Sequence, residues 1–384
     1  MAEVGTAISG VFGDLIGQDK VIAQLQRAIA GDGHAMTHAW LFTGPPGSGR
    51  SVAARAFAAA LECDRGGCGE CQPCRLVLSG GHPDVRLVNT ETLSIKVDDI
   101  RKLVRDASLS PSMGRYQIVV IEDADRVTEE GADALLKNLE EPSPRTVWML
   151  CAPSAEDVIV TIRSRCREVG LVTPTPRAIA ELLRRRYGID AQRAQWAARV
   201  CGGHIGRARL LAQDETVRAR RAKVLQIPSS LTSLTACLTL AQEMIDAAKS
   251  EAETITKELD ARELAHLRQA MGMGSGREPR NAQAAEKALK KEQGMRATRL
   301  QRDALDRALS ELSVYYRDVL VTQTRAGVEL INGELADEIH RFSAKTTPEA
   351  TLERIAAIGK CKEAIEQNVV LLLAVKALFI SLKD

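Results

Sequence analysis

Residues 44–51 read Gly-Pro-Pro-Gly-Ser-Gly-Arg-Ser, set between Leu41-Phe42 and the helix-forming run Ser51-Val52-Ala53-Ala54-Arg55-Ala56-Phe57. A glycine-rich loop that joins a strand end to a helix start points to an α/β sheet with a ligand at its edge. Gly44, Gly47 and Gly49 let backbone N–H groups turn inward around phosphates, and the helix N-terminus favours anions. The segment fits the phosphate-loop template G-x-x-x-x-G-K-[ST] except at one position, where Arg50 replaces the lysine. Arginine is a planar fork and does not substitute for a compact, mobile ammonium. The expectation is a loop that binds ATP or ADP through Gly44, Gly47, Gly49, Arg50 and Ser51 and hydrolyses it poorly or not at all. A plain glycine-rich turn is the alternative.

The chain has 384 residues, enough for two or three domains. It is 45% hydrophobic and only 3% aromatic, and Ala, Leu and Arg are abundant, which favours helices over β-sandwiches. A net charge of +2 excludes a bulk polyanion binder, so any nucleic-acid contact must come from a local patch. Met1-Ala2-Glu3-Val4-Gly5 has neither a basic n-region nor an apolar run. Val369–Leu382, interrupted by Lys376, is too short to span a bilayer and is expected to be a buried helix. A soluble cytoplasmic protein with no membrane partner is therefore expected. Nine cysteines in such a protein point to metal or free thiols.

Along the chain, Val11–Gln18 leads into a helix with Val21, Ile22, Leu25 and Ile29 on one face. Val85–Val88, Gln117–Ile121 and Val147–Cys151 read as strands, the last two as continuous apolar runs of a buried parallel sheet. Helices over Lys96–Asp106 and Ala132–Glu141 alternate with them. Beyond Pro174-Thr175-Pro176 only amphipathic helices are expected. This gives an α/β P-loop domain at 1–173, a small helical lid at 174–215 and an all-helical domain at 216–384. The last carries a charged arm at 248–300, with a flexible tip at Gly272–Gly276.

Cys63-x4-Cys68-x2-Cys71-x2-Cys74 places four thiols within twelve residues, enough to close a tetrahedral site around zinc with no open position. The C-x-x-C steps also occur in ferredoxins, whose C-x3-C-P ending is absent here. Such a zinc folds a small lobe and does not catalyse. The single cysteines Cys151, Cys166, Cys201, Cys237 and Cys361 are expected in the core. Ile118–Ile121 runs into Glu122-Asp123, where P-loop ATPases hold magnesium and activate water. A solvated strand end accounts for two acids as well. Ser164-Arg165-Cys166, flanked by Arg163 and Arg167, reads on its own as a basic loop.

In order, Val11–Gln18, the phosphate loop, the four cysteines, Ile121–Asp125, Leu135-Leu136-Lys137-Asn138-Leu139-Glu140-Glu141-Pro142 and Ser164-Arg165-Cys166 resemble the AAA+ subunits of the bacterial sliding-clamp loader. The likeness is close to about residue 210; beyond that it is in layout only. It implies a ring-forming collar at 216–384. It also implies partnership with the motor subunits and the delta subunit of DNA polymerase III, with primer-template DNA and with the sliding clamp. Four departures fall on hydrolysis in cis: Arg50, the order Glu122-Asp123, Ala152-Pro153 after the Val147–Cys151 strand, and Gly206 where a sensor arginine belongs, with Arg207 displaced by one. The arginine finger that serves a neighbour is kept as Arg165, between Ser164 and Cys166. That combination resembles the loader's non-motor stator, which is not an enzyme on its own. An active AAA+ motor with a variant loop is the rival reading; a stand-alone zinc-containing DNA-binding regulator is a third. The resemblance also places the helix from Lys96, with Arg101, Lys102 and Arg105, toward DNA, against ordinary surface charge as the alternative.

Overall fold

Burial on both faces explains the sheet. The computed structural model describes residues 10–32, 35–88, 94–270 and 282–383, and the chain divides into two units, Met1–Gln213 and Asp214–Asp384. The glycine-rich tip at 272–276 and Met1–Gly5 lie outside the described residues. In the first unit the strands are β1 (Ala39–Thr43), β2 (Val85–Val88), β3 (Gln117–Ile121), β4 (Thr146–Ala152) and β5 (Arg167–Gly170). They form one parallel sheet in the order β2-β3-β4-β1-β5. Every residue of β1, β3 and β4 is buried. Trp40, Phe42, Ile118, Val120, Met149 and Cys151 point into one layer, and Ala39, Leu41, Val119, Ile121, Trp148 and Leu150 into the other. Strands covered on both faces need apolar residues at every position, hence the continuous runs.

Helices α1 (Asp19–Ile29), α2 (Arg50–Leu61) and α3 (Gln72–Ser79) bury residues in the first layer, where Phe57 meets Trp40 edge-on at 4.9 Å. Helices α4 (Val97–Ala107) and α5 (Glu129–Glu140) bury residues in the second. At the start of α4 Asp99 Oδ2 accepts from Lys96 N at 3.3 Å, and Thr128 caps α5 by accepting from Gly131 N. Short α6 (Val160–Arg163) precedes β5. Edge strand β5 has no counterpart in the sequence reading, because only Val169 of its four residues is buried and Arg167 reads as loop. Helices α7 (Pro176–Tyr187), α8 (Ala191–Val200) and α9 (Ile205–Gln213) close the unit.

A buried acid braces the sheet edge. Asp84, before β2, accepts from Ser112 N and Oγ, Met113 N and Gly114 N, all at 2.7–2.8 Å. Burial raises its pKa, but these four donors outweigh that and hold it at about 2. Glu62, just before the first cysteine, accepts from Arg115 N and Tyr116 N, and burial pushes its carboxyl up.

In the second unit, helices α10 (Glu215–Leu225) and α11 (Ile227–Ser230) lead to two long helices, α12 (Leu234–Ala270) and α13 (Ala282–Thr324). Then come α14 (Ala336–Ser343), α15 (Pro348–Glu366) and α16 (Leu371–Lys383). The core gathers Leu305, Leu309, Leu312, Tyr315, Tyr316 and Phe379. Toward the far end of the long pair that core gives way to charge: Arg296 on α13 bonds Asp260 and Glu263 on α12. The expected buried helix at 369–382 is only half buried. It starts at Leu371, and Val370 and Leu373 stand in solvent while Val375, Leu378 and Phe379 face the core. No strand lies beyond Gly170 among the described residues, and none of their helices is long and apolar enough to cross a membrane.

Candidate functional site

The glycine-rich loop at 44–49 leaves β1 and enters α2 at the carboxyl ends of the strands, where open α/β sheets hold ligands. Gly49 caps α2 with φ 96°, a left-handed conformation that glycine adopts without strain. Gly47, at φ 86°, is covered by the lid: a Cβ there would lie 2.4–2.7 Å from the Cα, Cβ and Cγ of His204. Gln18 pins the loop from outside, donating to Ser48 O at 3.3 Å and exchanging bonds with the backbone of Val172 just past β5.

The first of the two acids after β3, Glu122, meets arginine. Arg55, one turn beyond Ser51 on α2, bonds Glu122 Oε1 at 3.0 Å. Burial pushes the Cys151 thiol at the end of β4 up; the nearby charges of Glu122 and Asp123 add to this and those of Arg50 and Arg55 oppose it. Ser48 Oγ, Arg50 Nη1 and Arg55 Nε are buried without a hydrogen-bond partner. Sequence reasoning named the loop and the acids but missed Arg55. Its spacing of four from Ser51, on one helix face, was the available signal.

Ser164, Arg165 and Cys166 form the turn between α6 and β5. The Arg165 guanidinium donates to Thr161 O at 2.8 Å and Ser164 Oγ at 3.2 Å, and it pairs with Glu140 at the end of α5. Its side chain is about one-third exposed, at 35%. Cys166 is partly buried against the second layer, so it is not the fully buried core residue expected; Cys151, Cys201, Cys237 and Cys361 are buried. This turn and the glycine-rich loop are separate features of the unit.

The four cysteines converge between α2 and α3. Their sulfurs all lie within 4.8 Å of one another, with Cys63–Cys68 at 3.7 Å and Cys63–Cys71 at 3.6 Å. Four thiolates about 2.3 Å from a tetrahedral centre are about 3.8 Å apart, so the cluster can hold a metal ion. Backbone N–H groups of Glu70 and Cys71 pull the Cys68 thiol down to about 6, and Arg65 donates to its sulfur at 3.1 Å. Burial pushes Cys74 up. The lobe is fastened to the start of the fold by Val11 N donating to Gly67 O at 3.0 Å.

The family described as "DNA polymerase III, delta subunit" matches residues 17–175, the stretch that carries the loop, the cysteines and the Arg165 turn. The DNA polymerase III subunit delta' of Pseudomonas aeruginosa is 35% identical over 196 residues, 49% of this chain and 60% of the relative. Over this unit the chain is similar to delta-prime subunits of DNA polymerase III. The Bacillus subtilis delta' is 31% identical over 213 residues, 55% of this chain and 64% of the relative. The gamma/tau subunit of Mycobacterium bovis is 34% identical over 179 residues, 45% of this chain and 31% of that protein. The chain thus spans less than two thirds of the length of each of these relatives. The first unit is a parallel sheet covered by helices and closed by α7–α9, and the second unit is all helical among the described residues.

Proposed function

We propose that the chain is the non-motor subunit of a DNA polymerase III clamp loader and lends Arg165 to the nucleotide site of a neighbouring motor subunit. The observation that carries this reading is a contrast within one domain. The chain's own acid at the end of β3, Glu122, is neutralised by Arg55, whereas Arg165 stands partly exposed on a turn outside that site. A permanent charge on a planar fork suits the stabilisation of phosphoryl oxygens. Supplied in trans, such a finger raises turnover by orders of magnitude.

In this reading the four-cysteine lobe holds zinc as a structural ion, and the second unit packs with other subunits. The delta subunit and the motor subunits are the partners, and the assembly acts on the sliding clamp and primer-template DNA in the cytoplasm. Arg101, Lys102 and Arg105 on α4 contact the DNA backbone. Reconstitution tests the whole. The isolated chain should hydrolyse no ATP, and adding it to a loader that lacks it should restore DNA- and clamp-stimulated ATPase. Reversing charge at Arg101 and Arg105 should weaken clamp loading and flatten its salt dependence. Vigorous hydrolysis by the chain alone would favour an active motor instead.

A further inference from the structure

The second unit holds a buried positive charge that no acid answers. Arg354, on the second turn of α15, is only 8% exposed, and among the described residues no carboxylate pairs with it. Its Nε donates to Leu382 O at 3.0 Å and its Nη1 to Thr346 Oγ1 at 2.7 Å, and the guanidinium lies 5.8 Å from the centre of the Phe342 ring. These contacts fix the fork in place without neutralising it. Leu382 O belongs to the last turn of α16, and a helix end offers only about half a negative charge. Buried arginines are otherwise paired, because an unpaired charge taken out of water is costly.

The charge stands at a cavity. A space of about 170 Å³ is lined by Arg354, Lys345, Thr346 and Lys383, together with the apolar side chains of Phe342 and Leu231. None of the described residues that line it is acidic. Lys345 follows the end of α14 and Lys383 ends α16, so the fold brings three cations from three stretches of chain to one space. Like charges repel, and three of them around a space without an acid favour an anion inside it. The cavity is smaller than the pockets of about 300 Å³ and more that hold drug-sized ligands, so it suits a small ion.

We propose that this cavity binds a phosphate-type dianion, a tetrahedral oxyanion held by Arg354, Lys345 and Lys383. Three cations call for more than one negative charge, and a guanidinium fork and an ammonium both suit phosphoryl oxygens. Free phosphate and the phosphoryl end of a larger molecule share this chemistry. The inference rests on the second unit alone and is independent of the readings of residues 44–51 and of Arg165.

The test is calorimetric titration of inorganic phosphate into the full chain, with chloride holding the ionic strength constant. Saturable binding with a dissociation constant of about 1 mM or tighter is expected. Lys345→Ala, at an exposed position, should weaken it about fivefold or more, and Arg354→Met should abolish it. Melting followed by far-UV circular dichroism checks that Arg354→Met is folded; Lys345→Ala decides the matter if it is not. Phosphoserine identifies the source: tighter binding than phosphate assigns the site to a phosphorylated side chain, weaker binding to the free ion, and either upholds it. Absence of saturable phosphate binding would overturn the inference. So would binding that Arg50→Ala abolishes and Lys345→Ala leaves intact, which would belong to the glycine-rich loop. Acetate bound as tightly as phosphate would overturn the assignment to a dianion.

Discussion

Glu140, the last residue of α5, holds the guanidinium of Arg165 across the turn that follows α6. With Thr161 O and Ser164 Oγ it fixes the fork on the protein surface without burying it. An exposed pair of this kind contributes little to folding. Arg165→Ala should therefore leave the chain's melting temperature nearly unchanged and lower the stimulated ATPase of a reconstituted loader substantially. Arg163, whose nearest acid is Glu156 at 4.0 Å, should matter less. Wild-type ATPase with Arg165→Ala alongside a loss with Arg163→Ala would reassign the finger.

Metal content follows from the sulfur geometry. The purified chain should carry one zinc, and Cys63→Ser should lose it, with the lobe between α2 and α3 unfolding first. Elemental analysis together with proteolysis at residues 63–74 reads both effects. Zinc content unaffected by Cys63→Ser would refute the assignment.

The lid contact can be broken at one atom. Gly47→Ala introduces a Cβ within 2.4–2.7 Å of His204 and adds strain at a positive φ. Destabilisation of about 1–3 kcal/mol is expected, because His204 meets Gly47 through Cα and Cβ as well as its ring. A denaturation midpoint equal to that of the wild type would show that the lid does not rest on the loop in solution.

Asp84 gives the first unit a specific acid sensitivity. Its folded pKa of about 2 lies below an ordinary aspartate's ~3.9, so its stabilisation is complete above about pH 4. It is lost as pH falls toward 2. The shift corresponds to about 2.5 kcal/mol. Asp84→Asn should cost roughly that much at neutral pH, with the gap to wild type closing between pH 4 and 2. A gap independent of pH over that range would mean that the four donors act by shape alone.

Much of this architecture is written in the chain because buried parallel strands need apolar residues throughout. Ile118–Ile121 and Val147–Cys151 could be little else, and the cysteine spacing led directly to a cluster of sulfurs. What stayed hidden depends on partners far apart in sequence. Arg55 reads as one more helix-forming residue until Glu122, 67 positions later, is folded beside it. The Glu140–Arg165 pair and the His204–Gly47 contact are hidden for the same reason. Strand β5 escaped because an edge strand with a single buried residue, Val169, has no periodicity to detect.

The paired helices α12 and α13 carry a mechanical consequence. At 37 residues α12 is about 55 Å long, and its partner, at 43 residues, is about 65 Å. Only the part near the hydrophobic core is anchored by apolar packing; the rest is stiffened by Arg296 and its two acids. Such a pair has the proportions of a lever: each degree of rotation at the first residue of α12, Leu234, would sweep its last, Ala270, through about 1 Å.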